Sequence, residues 1–71
     1  MNYFRFGDRI RIKKVTSFGY SFAEHNDSGI VIGYATLQSG VPCLIVNMDC
    51  PDMNGLIHTH LLVAMDNALP L

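Results

Sequence analysis

Turn-forming residues divide this 71-residue chain into stretches too short for a long helix. Gly7 and Asp8 form the first such signal, and residues 26–29, 38–40 and 54–55 form the others. Several stretches between them are rich in β-branched residues, which favour strands. Regular short strands with frequent turns are typical of small barrels and meanders. The pattern predicts one all-β domain, residues 1–71, built from about five short antiparallel strands.

The first predicted strand covers residues 8–15. Ile10 and Ile12 alternate with basic residues, which is the period of a strand with one buried face. Strict alternation would point Lys14 at the core. We therefore expect a bulge, or the end of the strand, near Lys13 and Lys14.

Four further strands are predicted downstream, in residues 30–35, 41–49, 56–60 and 61–65. Gly33, inside the second strand, predicts a sharp bend or a close backbone approach. The last segment has a composition that also suits a helix, but five residues are too few to propagate one.

Residues 16–28 and 67–71 are predicted to lie outside the sheet, as a long connection and a short apolar tail. The tail either contacts a partner or covers the open end of a barrel. Ile32 is expected in the core, where truncation to Ala would cost about 2–5 kcal/mol.

Composition excludes several classes of protein. Hydrophobic residues make up 49% of the chain and charged residues 15%, which is the opposite of a disordered sequence. No apolar run approaches the ~18 residues of a membrane span. The first residues lack the order of a signal peptide, and two cysteines are too few for a disulfide scaffold. These features predict a cytoplasmic protein with reduced thiols.

Charge is distributed unevenly along the chain. The first fourteen residues sum to +4, five cations minus Asp8, and the rest to −5, with five acids and no Lys or Arg. The cations are Arg5, Arg9, Arg11, Lys13 and Lys14. Alternate residues on one strand face lie ~6.5–7 Å apart, so three of the cations would form a line. This line predicts docking to a protein partner with an acidic surface, with nucleic acid as the alternative.

Apolar side chains exceed what a barrel of this size can bury. Those left exposed commonly mark interfaces, so we expect a subunit of a complex or a homo-oligomer. The candidate contact residues, besides the five cations, are Phe18, Tyr20, Phe22 and Met53. Phe18 or Tyr20 could instead stack a nucleic-acid base.

The order of these features resembles an SH3-like barrel. The resemblance lies in the opening FGDRIRI, a long aromatic loop, the run SGIVIG at residues 28–33, and residues 42–49. KOW-type modules of transcription and ribosomal proteins are similar in opening with Gly-Asp and alternating hydrophobic residues. The accessory electron-transport barrel of photosystem I is similar in length, early basic strand and aromatic first loop. The first likeness implies nucleic-acid binding, as in KOW or Tudor-like modules, and the second implies docking to a protein.

Catalytic and metal-binding patterns are weak. Cys43 and Cys50 are seven positions apart, unlike the close ligand pairs of structural zinc sites. His58 and His60 would share one face if residues 56–60 formed a strand, but two histidines alone make a poor site. Cys50 followed by either histidine is the best nucleophile–base pairing in the sequence. We expect neither an enzyme nor a bound metal or cofactor.

Overall fold

The computed structural model describes residues 4–13 and 27–71. These residues form five short antiparallel strands in one sheet, which confirms the predicted all-β fold. The elements are β1 (Arg9–Ile12), β2 (Ser28–Thr36), β3 (Pro42–Met48), β4 (Leu61–Ala64), a 3₁₀ helix (Met65–Asn67) and β5 (Ala68–Pro70).

The strand order across the sheet is β4-β3-β2-β1-β5, so β4 and β5 are its two edges. In the chain, only the 3₁₀ helix separates these two edge strands. Three residues of 3₁₀ helix rise by only about 6 Å. The end of β4 therefore lies close to the start of β5, and the sheet must curl like a barrel.

The long strand β2 carries this curvature. Val31 pairs with Val46 and Gly33 with Ile45, so Ile32 is an extra residue in the ladder, a β-bulge. Bulges bend a strand and increase its twist. The bend expected at Gly33 thus falls at the bulge beside it. Ile32 is only half-buried, so its predicted place in the core was wrong, because the bulge displaces it from the alternation.

The closest backbone approach is at Gly29 rather than Gly33. A Cβ atom added to Gly29 would lie 2.7 Å from the backbone oxygen of Asn47 and 2.7 Å from Cγ1 of Val46. The same atom on Gly33 would have its nearest contact at 3.4 Å, with the terminal carbon of the Ile45 side chain. Gly29 is therefore the position in β2 where a side chain has no room.

One face of the curled sheet forms the hydrophobic core. All the buried apolar side chains of the described residues except Cys43 belong to a single cluster. The cluster contains Phe4, Ile10, Ile12, Val31, Leu44, Val46, Met48, Leu61, Val63 and Ala68. Every strand supplies at least one member, so the core depends on the complete sheet.

Several predicted element boundaries were wrong. Ser28, predicted to lie in the long connection, begins β2 and pairs with Arg11 of β1. Residues 56–60 form no strand, and the fourth strand is Leu61–Ala64, within the stretch predicted as the fifth. The expected tail, residues 67–71, contains β5, which pairs with β1 through Ile12 and Ala68. Such a short edge strand is stabilised by its partner, which a local sequence pattern does not reveal.

Candidate protein-interaction site

Strand β1 presents its basic residues on one side of the sheet. Ile10 and Ile12 are buried, whereas Arg9, Arg11 and Lys13 are exposed. This alternation places Arg9 and Arg11 of the predicted line on the exposed side of β1, and Lys13, which is also exposed, follows the end of the strand. Of the other candidate contact residues, Lys14, Phe18, Tyr20 and Phe22 lie outside the described residues.

Two cations of this line form ion pairs with the protein's own carboxylates. Arg9 pairs with Asp49, which also accepts a hydrogen bond from Ser28 Oγ at 3.1 Å. The Nε and Nη2 atoms of Arg11 each lie 3.4 Å from a carboxylate oxygen of Asp27. Acids from the second, acidic part of the chain therefore neutralise much of the predicted basic line.

Arg5 and Lys13 are exposed, and within the described ranges neither side chain forms a salt bridge. The Arg5 backbone N–H donates a hydrogen bond to the Asp8 carboxylate at 2.8 Å. The first part of the chain through Lys13 carries four cations, and the nearby acids Asp8, Asp27 and Asp49 carry three negative charges. Lys14, the next residue in the sequence, is a fifth cation, so the local sum is only +2.

A second feature lies in the connection between β3 and β4. We call residues 52–58 the apolar loop. Met53, Leu56 and Ile57 are exposed by 69%, 56% and 62%. Eight large hydrophobic side chains are exposed in the part of the chain that the structure describes, and three of them belong to this loop. Met53 is thus one of three large apolar side chains that this loop exposes.

Asp52 holds the apolar loop in one conformation from inside. Its side chain is only 3% exposed. One carboxylate oxygen accepts hydrogen bonds from the backbone N–H groups of Asn54, at 2.8 Å, and Leu56, at 3.0 Å. The other lies 2.8 Å from Nε2 of His58. Short-range hydrogen bonds of this kind are typical of Asp in turns.

Backbone hydrogen bonds complete the loop. The Asp52 N–H donates to the Leu56 carbonyl at 2.9 Å, and the Gly55 N–H donates to the Asp52 carbonyl at 3.0 Å. Gly55 adopts φ of +84°, a conformation that favours glycine. The Met48 N–H donates to the His58 carbonyl and so attaches the end of the loop to β3. The exposed apolar side chains therefore stand on a well-braced backbone.

The hydrogen bond from His58, followed by that from the Leu56 N–H, lowers the pKa of Asp52 below its usual range. Asp52 is consequently ionised at neutral pH and acts as a charged acceptor, which strengthens these bonds. Sequence reasoning assigned His58 to a strand and missed this pair. The sequence Asp-Met-Asn-Gly was the available signal, because an Asp before Asn-Gly favours a side-chain-capped turn.

No Asp, Glu, Lys or Arg occurs in residues 53–65, between Asp52 and Asp66. This uncharged segment includes most of the apolar loop and continues through all of β4. A contact surface here would be recognised by shape and apolar area rather than by charge.

A hollow of about 290 Å³ is lined by residues 56–62. Ligand pockets in proteins usually hold about 300–1,000 Å³, so this hollow is small for an organic ligand. His58, on its wall, bonds to Asp52, and Nδ1 of His60 lies 3.2 Å from Thr59 Oγ1. His58 is buried and His60 exposed, so the predicted shared strand face is not formed.

The cysteines do not join the histidines in a cluster. Cys43 is buried and Cys50 is half-buried, and both are free thiols. Burial raises the pKa of the Cys43 thiol, which disfavours the reactive thiolate. Across residues 4–13 and 27–71, no group of three or more His, Cys, Asp or Glu side chains is arranged to hold a metal ion.

Comparison with known proteins adds no assignment: no protein-family model, no curated protein and no solved structure matches this chain. The described residues include no helix long and apolar enough to cross a membrane.

Proposed function

We propose that this chain is a non-enzymatic protein-interaction module that binds another polypeptide through the apolar loop. The observation that supports it most is the exposure of Met53, Leu56 and Ile57, each by more than half, on a loop braced by a buried carboxylate. Large exposed apolar side chains that cluster together are a common mark of protein interfaces.

The hydrogen bonds to Asp52 support the proposed binding role of the apolar loop because they lower the entropy cost of binding. A flexible loop must be ordered when it binds, and that ordering reduces affinity. The loop's hydrogen bonds to Asp52 order its backbone before any partner arrives. Its apolar side chains can then be buried without a large further loss of backbone freedom.

The basic strand has a secondary role in this proposal. Arg5 and Lys13 are available to an acidic partner, whereas Arg9 and Arg11 would first have to leave Asp49 and Asp27. Charges at the rim of an interface mainly change the association rate. An acidic partner surface would therefore bind faster, with most of the affinity supplied by the apolar loop.

Nucleic acid remains the alternative ligand, through the same cations. Binding to phosphates gains affinity from each cation that displaces counterions. The acids Asp8, Asp27 and Asp49 reduce the charge of the five clustered cations to +2, so phosphate binding would be weaker than those cations alone predict. The free thiols of Cys43 and Cys50 fit the further proposal of a reducing compartment such as the cytoplasm.

The test is cross-linking affinity purification with three forms of the full chain. The first is the wild type, the second carries Met53→Ser and Ile57→Ser, and the third carries Arg5→Ser and Lys13→Ser. All four side chains are exposed, so each substitution should change the free energy of unfolding by less than about 0.5 kcal/mol. A denaturant titration of each variant checks that it folds.

We expect a specific protein to be recovered with the wild type and with the variant changed at Arg5 and Lys13. The loop variant, changed at Met53 and Ile57, should not recover it. Equal recovery by the loop variant and the wild type would overturn the proposal. So would recovery of nuclease-sensitive nucleic acid alone, lost with Arg5→Ser and Lys13→Ser, which would favour the alternative.

A further inference from the structure

We infer that the outer edge of β4, which carries no further strand among residues 4–13 and 27–71, pairs with a second copy of this chain, strand to strand and antiparallel. This inference rests on the proposed function and deepens it, because it names a partner for the surface that includes the apolar loop. It is carried by the difference between the two edges of the sheet.

The two edge strands differ in how well they resist pairing. Natural sheets protect exposed edges with charged side chains, Pro or very short strands. β5 has three residues and contains Pro70. β4 has the sequence Leu-Leu-Val-Ala, without charge or Pro, and among the described residues it pairs only with β3. β4 is therefore the edge that can accept another strand.

The side chains of β4 suit an added strand on both faces. Leu61 and Val63 are buried in the core, whereas Leu62 and Ala64 are half-buried on the opposite face. Leu62 lies beside Ile45 of β3 in the ladder, so the outer face is apolar there as well. A strand placed along β4 would extend this apolar surface and cover the outer side of Leu62.

Charge favours a second copy as the occupant. In a two-fold antiparallel pairing, the same surface meets itself, so any charge near the axis would face its own sign. Residues 53–65 contain no Asp, Glu, Lys or Arg, and the whole chain carries only −1 at pH 7 with its histidines neutral. The apolar loop leads directly into β4, so the pairing would also bring Leu56 and Ile57 near the second copy.

Sedimentation equilibrium of the purified wild type, from about 1 μM to about 1 mM, tests the inference. The monomer mass is 7.9 kDa, and we expect the observed mass to rise towards twice that value with concentration. Leu62→Lys should remain monomeric at every concentration, because two ammonium groups would face each other near the axis. Leu69→Lys is the matched control, a Leu-to-Lys change on the other edge strand, and should behave as the wild type.

Amide hydrogen exchange of the wild type gives a readout that needs no variant. Protection of residues 61–64 should increase with protein concentration, whereas that of Ala68 and Leu69 should stay constant. A monomer at all concentrations, equal loss of dimer in both lysine variants, or protection that is independent of concentration would overturn self-pairing.

A failure here is distinguishable from a failure of the proposed function. Partner recovery that depends on Met53 and Ile57 would stand even if the purified chain were monomeric. A dimer abolished by Leu62→Lys would support self-pairing even if cross-linking recovered no other protein.

Discussion

Strand β1 and the uncharged segment, residues 53–65, differ in the chemistry of their exposed side chains. In β1 the exposed side chains are charged, and Arg9 and Arg11 are paired with carboxylates of the same molecule. In the uncharged segment three large exposed side chains, Met53, Leu56 and Ile57, are apolar, and the Asp52 carboxylate that accepts hydrogen bonds from the loop is buried. In the first region most of the charge is paired within the molecule, whereas in the second region large apolar side chains remain exposed to solvent.

This difference shows that a charge cluster in sequence need not be a charge cluster on the surface. The cations lie close together in sequence, but Asp49 is 40 positions from Arg9 and Asp27 is 16 positions from Arg11. Folding brings these acids to the basic strand. The apolar loop has no equivalent compensation, and for that reason it is the stronger candidate for external contact.

The largest expected effect concerns Gly29 of β2, which pairs with Ile10 of β1 on one side and with Met48 of β3 on the other. Gly29 thus connects β1 to the strand that precedes the apolar loop. Gly29→Ala should reduce the free energy of unfolding by about 1–3 kcal/mol, because its Cβ has no room beside the Asn47 backbone. Urea titration provides the measurement. Gly33→Ala is the control and should cost less, since its nearest neighbour is the end of a flexible side chain. An equal loss of unfolding free energy in the two variants would show that position 29 tolerates a side chain.

An effect of intermediate size is expected for the pH dependence of stability, which tests whether the ionised Asp52 carboxylate stabilises the fold. The pKa of Asp52 is lowered in the folded protein, mainly by His58, so its stabilisation is complete above the pKa of the unfolded chain. It is lost as the pH falls through the lower, folded value. Wild-type stability should therefore decline below about pH 4 more steeply than that of Asp52→Asn. Unfolding curves at several pH values measure the difference, and parallel declines would contradict a stabilising role for the ionised carboxylate.

The smallest effect is expected at the ion pairs of β1. Arg9→Gln and Arg11→Gln should each change the free energy of unfolding by less than about 1 kcal/mol, because exposed pairs are solvated and screened by salt. Chemical denaturation at low and high salt measures this. A loss of several kcal/mol from either variant would mean that β1 uses its charge mainly to hold the fold together, and the comparison would need revision.

Local patterns predicted the parts of the fold that depend on neighbouring residues. The alternation at residues 9–13 and the Asn-Gly turn at residues 54–55 both appear in the structure. β5 was missed because three residues become a strand only through pairing with β1. The hydrogen bond between Asp52 and His58 joins residues six positions apart, and it forms only because the loop turns back on itself, which the Asn-Gly signal alone does not specify.

The amino-acid pattern was sufficient to indicate an all-β chain with a buried face on β1, a Gly-dependent turn and a long segment without Asp, Glu, Lys or Arg. These properties follow from side-chain period, turn conformation and composition, which act over a few residues. Long-range contacts in the folded chain determine which cations form ion pairs, where β2 bulges and which strands stand at the edges of the sheet. Those outcomes depend on contacts between residues far apart in the chain, such as Arg9 with Asp49 and Ile12 with Ala68.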